Sequence, residues 1–186
     1  METAHLPEPA PKHLRPSRFS HLVLQTARYA EMTAWYRTVL SAKPMFENGV
    51  VCFLTYDEEH HRVMIGHNPN ATPRDPKAAG VVHFAYAVDT LDDLVRNYLR
   101  LEAEGIVPAA CINHGFTTSL YYRDPDDNEV ELQVDNFATR DAMDAWFRTG
   151  AFDRNFVGVA FDPKRMVELH RAGVPAERIL QQELYR

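Results

Sequence analysis

The sequence predicts an α+β fold: two paired βαβββ modules forming a cupped mixed sheet, followed by a helical C-terminal extension. Three observations predict it. The order of elements repeats, and a shift of 62 residues places His21 on His83 and Tyr36 on Tyr98. Strand-like segments alternate in polarity, so each has one face to bury. Each half also carries one segment with apolar residues at helical spacing, which covers a sheet face. Two such half-covered sheets side by side curl into a cup with equivalent positions on its floor. An immunoglobulin-type sandwich would lack the repeated helices, and a doubly wound fold would need strict strand–helix alternation. The chain divides into an N-terminal arm (1–18), a first module (19–78), a second module (79–135) and the extension (136–186), all in one structural domain.

In the first module, residues 19–26 alternate as a strand, with His21, Val23 and Gln25 on one face and Leu22 and Leu24 on the other. Residues 28–40 form a helix through Met32, Trp35, Tyr36 and Val39. Strands are expected at 44–47, 50–56 and 61–67, separated by Asn48-Gly49 and Asp57-Glu58-Glu59. A proline-rich connection fills 68–80. The second module opens with a strand at 81–88. Thr90 or Asp89 caps a helix whose stripe is Leu91, Leu94, Val95, Tyr98 and Leu101, and Gly105 ends it. Strands follow at 107–112, 116–123 and 129–135, the last two joined by the turn Asp124–Asn128. Helices are expected in the extension at 139–148, 163–171 and 175–184.

Composition excludes several classes of function. The net charge is −6 without a long basic run, which argues against a partner held through phosphates. No apolar run approaches the ~20 residues that span a bilayer. The first residues have no apolar core with a cleavage site, so no secretory signal is expected. Cys52 and Cys111 read as buried free thiols, and a cytoplasmic location is expected.

The repeat turns scattered polar residues into a site. His21 and His83 occupy matching places on the first strands of the two modules, and Glu131 sits on the last strand of the second. All three face away from the helix-packed side, toward the cup. Two imidazoles and one carboxylate make a three-ligand metal site with open positions, the arrangement of non-heme Fe(2+) oxygenases. A structural zinc site would close with a fourth protein ligand.

Around these residues the chain resembles the vicinal oxygen chelate superfamily, and within it the single-domain type I extradiol ring-cleaving dioxygenases. The resemblance covers about residues 19–135 and rests on FSHLVLQT at His21, VVHFAYAV at His83 and SLYYRDPDDNEVEL ending at Glu131. Tyr121 stands ten residues before Glu131, the family's separation of tyrosine from ligand glutamate. Asp127 replaces the usual turn glycine and tolerates a left-handed backbone. The resemblance implies ferrous iron as cofactor, held by His21, His83 and Glu131. It implies a small aromatic diol and O2 as reactants, and assembly as a homodimer or higher homo-oligomer. It also implies roles for His67 as the acid–base histidine, His114 as a hydrogen-bond donor to substrate or oxygen, and Tyr121 as the partner of the catecholate oxygen.

Two other readings share the fold: a glyoxalase-like isomerase or thiol transferase with a redox-inert metal, and a small-molecule-binding protein without chemistry. Strand 61–67 offers no carboxylate for the fourth ligand usual in the glyoxalase type. His60 and His61, as neighbours on a strand, point to opposite faces and read as surface or turn groups. His5, His13 and His170 read as surface groups. Trp35, Tyr36 and Tyr98 read as core, and Phe53, Tyr56, Tyr86 and Phe116 as candidates to line a pocket for an aromatic ring.

Overall fold

The computed structural model describes residues 16–75 and 77–185. His5, His13 and most of the expected arm lie outside the described residues. The first set of elements is β1 (Leu22–Thr26), α1 (Tyr29–Val39), β2 (Lys43–Glu47), β3 (Val51–Thr55) and β4 (Val63–His67). The second is β5 (His83–Ala87), α2 (Leu91–Ala103), β6 (Ala110–Asn113), β7 (Thr117–Arg123) and β8 (Glu129–Asp135). Each set forms its own hydrogen-bonded sheet, in the orders β1-β4-β3-β2 and β5-β8-β7-β6. The pairings repeat: β1 runs parallel to β4 and β5 parallel to β8, and the remaining neighbours are antiparallel.

Local chemistry sets the helix ends. The Thr90 hydroxyl accepts from the Asp93 amide at 3.1 Å, so Thr90, not Asp89, caps α2. Gly105 follows the helix at φ +75°, where a side chain would be strained. The stripe of α2 is buried as the spacing requires, and α1 buries Met32, Thr33, Tyr36 and Val39. Each large apolar side chain that is fully buried contributes roughly 1.5–3 kcal/mol.

The two sheets are fastened through their helices. Val130 of β8 packs in the cluster under α1 with Met32, Tyr36, Leu54 and Ile65. The Tyr36 hydroxyl donates to Asp124 Oδ2 at 3.0 Å, and Arg28 donates to the Pro125 carbonyl. From the other side, Arg100 of α2 donates to the Val39 carbonyl at 3.0 Å. Buried Asp124 also accepts from the amides of Asp126 and Asn128 and from the Asn128 side chain. That closes the turn in which Asp127 takes φ +63°.

The extension contains α3 (Arg140–Arg148), α4 (Ala151–Arg154), β9 (Val159–Ala160), α5 (Pro163–Arg171) and α6 (Ala176–Ile179), then a 3-10 turn at Gln182–Tyr185. The expected helix at 175–184 is thus broken. The Leu180 carbonyl, which a continuing helix would use, accepts instead from Asn113 Nδ2 at 2.9 Å. β9 pairs antiparallel with β6 and extends the second sheet to five strands. α5 seals the larger core with Met166, Val167 and Leu169. His170 of α5 is not a free surface group: its Nε2 lies 3.2 Å from Asp92 Oδ1 on α2. Cys52 and Cys111 are free and buried. β2 is exposed along its whole length, and its register with β3 breaks between Pro44 and Phe46. Among the described residues, no helix is long and apolar enough to cross a membrane.

Candidate active site

Glu131 lies on β8, between β5 and β7. Its register partners are Ala85 on β5 and Tyr121 on β7. This central place buries the residue to 4% exposure. An isolated buried carboxylate is costly, so it needs partners. His83, two residues before Ala85 and therefore on the same face, brings Nε2 to 3.1 Å from Glu131 Oε2. The ring of Tyr121 meets His83 edge-on at a centroid separation of 5.5 Å.

His114 follows β6 and reaches back across the sheet, so that its Nε2 is 2.8 Å from the Tyr121 hydroxyl. Burial first, and then the neighbouring Glu131, push the Tyr121 phenol far above its ordinary range. Both effects favour the protonated phenol, the form that can donate a hydrogen bond. Burial lowers the His114 imidazole below its ordinary value, against the pull of Glu131 and of a hydrogen bond to the Val157 backbone. Burial thus favours the neutral form of His114. Together these residues form a carboxylate–imidazole pair with a protonated phenol and a neutral imidazole beside it.

The first module carries a separate group. His21 immediately precedes β1, and its ring lies 4.3 Å from that of His61 and 6.3 Å from that of His60. Phe53 stacks on His61 at 4.6 Å. The surface reading of His61 is overturned, because the residue is only 8% exposed. The reason is local. Strand β4 begins at Val63, so residues 57–62 form a bend to which strand alternation does not apply. The two neighbouring imidazoles thereby meet, Nδ1 to Nδ1, at 2.6 Å. Burial and the adjacent His21 and His60 lower the His61 imidazole. His67 ends β4, in register with Thr26 at the far end of β1 from His21, and its ring neighbours Tyr29. Of the pocket candidates, Tyr56 and Tyr86 meet edge-on at 6.0 Å. They line a crevice of about 360 Å³ between the sheets with Phe19, Leu22, Arg62, Phe84 and Ala85.

His83, Glu131, Tyr121 and His114 are thus brought together, and His21 and His61 meet beside the neighbouring sheet, just ahead of β1 and β4. Among the described residues, no group of three or more His, Cys, Asp or Glu side chains is spaced to hold a metal ion. The second module nonetheless offers a half-built donor set. Two ligand atoms about 2.1 Å from one ion and at right angles stand about 3 Å apart, close to the observed 3.1 Å between Nε2 and Oε2. A buried carboxylate and an imidazole suit a divalent transition metal, and a facial set would need a third donor beside them. The repeat offered a signal for His83, and strand alternation with the ten-residue spacing from Tyr121 offered one for Glu131. For His61 the available signal was the bend residues Asp57–Glu59 just before it, which remove it from the strand.

The sequence model of the Glyoxalase/Bleomycin resistance protein/Dioxygenase superfamily matches residues 18–132. The chain is 50% identical over 163 residues to biphenyl-2,3-diol 1,2-dioxygenase 2 of Rhodococcus globerulus, covering 87% of this chain and 86% of that protein. It is 44% identical over 164 residues to biphenyl-2,3-diol 1,2-dioxygenase 3 of the same organism, with the same coverage of 87% and 86%. Among solved structures, a glyoxylase/bleomycin resistance protein/dioxygenase domain from Frankia sp. EAN1pec superposes with a TM-score of 0.56 at 18% identity, covering 69% of this chain and 99% of that one.

Proposed function

Because the chain belongs to the Glyoxalase/Bleomycin resistance protein/Dioxygenase superfamily, we propose that its cup is the site of an extradiol dioxygenase that opens an aromatic diol with O2. Biphenyl-2,3-diol is the first substrate to test, from the names of the two Rhodococcus relatives. The observation that carries the site is the buried Glu131 at 3.1 Å from His83, with Tyr121 and His114 against them.

In this reading His83, Glu131 and His21 would hold ferrous iron, which would supply coordination positions for a chelating diol and O2 and the electron transfer between them. The chain does the rest. Tyr121, kept protonated, donates a hydrogen bond to a diol oxygen as charge develops on it. His114 Nε2 holds the Tyr121 hydroxyl and so fixes the direction in which that hydroxyl donates. A further histidine takes a diol proton and returns it to the opened ring. Sequence position points to His67 for that role, whereas placement points to His61. His61 is packed against the proposed ligand His21, and His67 stands at the opposite end of the parallel pair β1–β4.

Protein loaded anaerobically with Fe(2+) and then given O2 and biphenyl-2,3-diol is expected to form a coloured ring-fission product, one O2 consumed per diol. Iron-loaded protein that turns over no member of a broad diol panel would end the assignment. His61→Gln is expected to lower turnover with iron retained, and His67→Gln to leave turnover near wild type. The reverse pattern restores His67 to the role.

A further inference from the structure

We propose that the C-terminal extension is the positioning device for His114, with Trp146 and the Val157–Gly158 segment as its points of contact. This rests on the reading of His114 as part of the diol site. His114 stands on a short turn between β6 and β7, outside any strand, and its neighbour Gly115 takes φ +91°. The extension holds that turn from several sides. Above Gly115 lies the Trp146 indole of α3, so close that a Cβ built on the glycine would sit 2.4 Å from Cζ2. On the other side a Cβ on Gly158 would sit 2.5 Å from the Asn113 carbonyl oxygen and 2.9 Å from the His114 Cα. These are approaches that only glycines permit.

Hydrogen bonds lock the same turn. β9 continues the β6 ladder through Asn113↔Val159. Fully buried Asn113 accepts the Gly115 amide and the Asn136 side chain on Oδ1 and donates to the Leu180 carbonyl. Its own carbonyl accepts from Gln182 Nε2 at 2.8 Å. Phe116, one residue beyond Gly115, packs on Trp146, Phe147 and Phe152. Every residue from 113 to 116 thus touches the extension, while the imidazole they carry reaches Tyr121. A misplacement of about 1 Å in a reacting constellation can cost roughly a hundredfold in rate. The extension removes that freedom.

The test uses the full chain with Trp146→Ala, Trp146→Phe, His114→Gln and the double variant His114→Gln/Trp146→Ala. In metal-free protein, the imidazole nitrogen resonances of His114 report its hydrogen bonds. Trp146→Ala is expected to move them, and Trp146→Phe to restore them. On iron-loaded protein, Trp146→Ala is expected to lower kcat by about 10- to 100-fold with iron content unchanged. The double variant is expected to be no slower than His114→Gln, because the two changes act through one group. Unmoved His114 resonances in Trp146→Ala, or losses that multiply in the double variant, overturn the proposal. Should Trp146→Ala not fold, Gly158→Ala presses on the His114 backbone from the other side. It is expected to shift the same resonances in folded protein, and their failure to move overturns the proposal equally. If wild type is inactive on every diol, the resonance comparison still decides this inference, so the two failures stay distinguishable.

Discussion

The Tyr121 hydroxyl is shared between His114 and the region of Glu131, and its phenol is too basic to ionise. Its proposed work is done on developing charge and not in holding metal. Tyr121→Phe is therefore expected to lower kcat about 100- to 1000-fold with iron content at the wild-type level, checked by O2 uptake and metal analysis on the same sample. His114 carries a pH consequence. Its folded pKa is depressed by burial, so between that value and the ordinary imidazole value the unfolded chain binds more protons than the folded one. The stability from a neutral His114 is fully present above the ordinary value and is lost as pH falls through the depressed one. Metal-free protein should show a lower urea midpoint at about pH 5.5 than at about pH 7.5, and His114→Gln should reduce that difference. At this scale the sequence was readable where a residue lay inside a strand. Glu131 and His83 point as alternation requires. His61 was misjudged because the alternation argument was applied to a bend.

Among the elements, α1 illustrates how a core residue can act as a fastener. Tyr36 lies in the apolar stripe of α1, yet its hydroxyl crosses to Asp124 in the turn that leads into β8. Tyr36→Phe leaves a buried carboxylate one donor short, which is expected to cost about 1–3 kcal/mol, measured as the shift in urea unfolding. The two repeated helices were legible because eleven and thirteen residues carry a clear period. The two-residue strand β9 and the four-residue helices α4 and α6 were not, since no period can be read over so short a run. Nor does a pattern within 175–184 reveal that the Leu180 carbonyl is claimed by distant Asn113. Tertiary contacts place those elements, and a single sequence shows no tertiary contacts.

For the molecule as a whole, the proposed ligands come from both modules, which links metal binding to the joining of the two halves. A metal bound only by the folded form stabilises it by about 2.7 kcal/mol at a hundredfold excess over Kd. Adding Fe(2+) anaerobically is expected to raise the Tm of wild type and to raise it much less in His21→Ala. An equal rise in both would remove His21 from the ligand set and leave the second module to hold the ion alone. The paired layout itself was the most legible feature of the chain, because equivalent elements recur at one offset.

The outer edge at β2 has a consequence for how molecules of this protein meet in solution. An edge strand with unpaired backbone groups invites a strand from another molecule, the first step toward fibrous aggregates. β2 carries Lys43 and Glu47 at its two ends, and Pro44, which has no amide to donate, sits where the pairing with β3 slips. Charge, a missing donor and an irregular backbone together blunt this edge against extension by a stray chain.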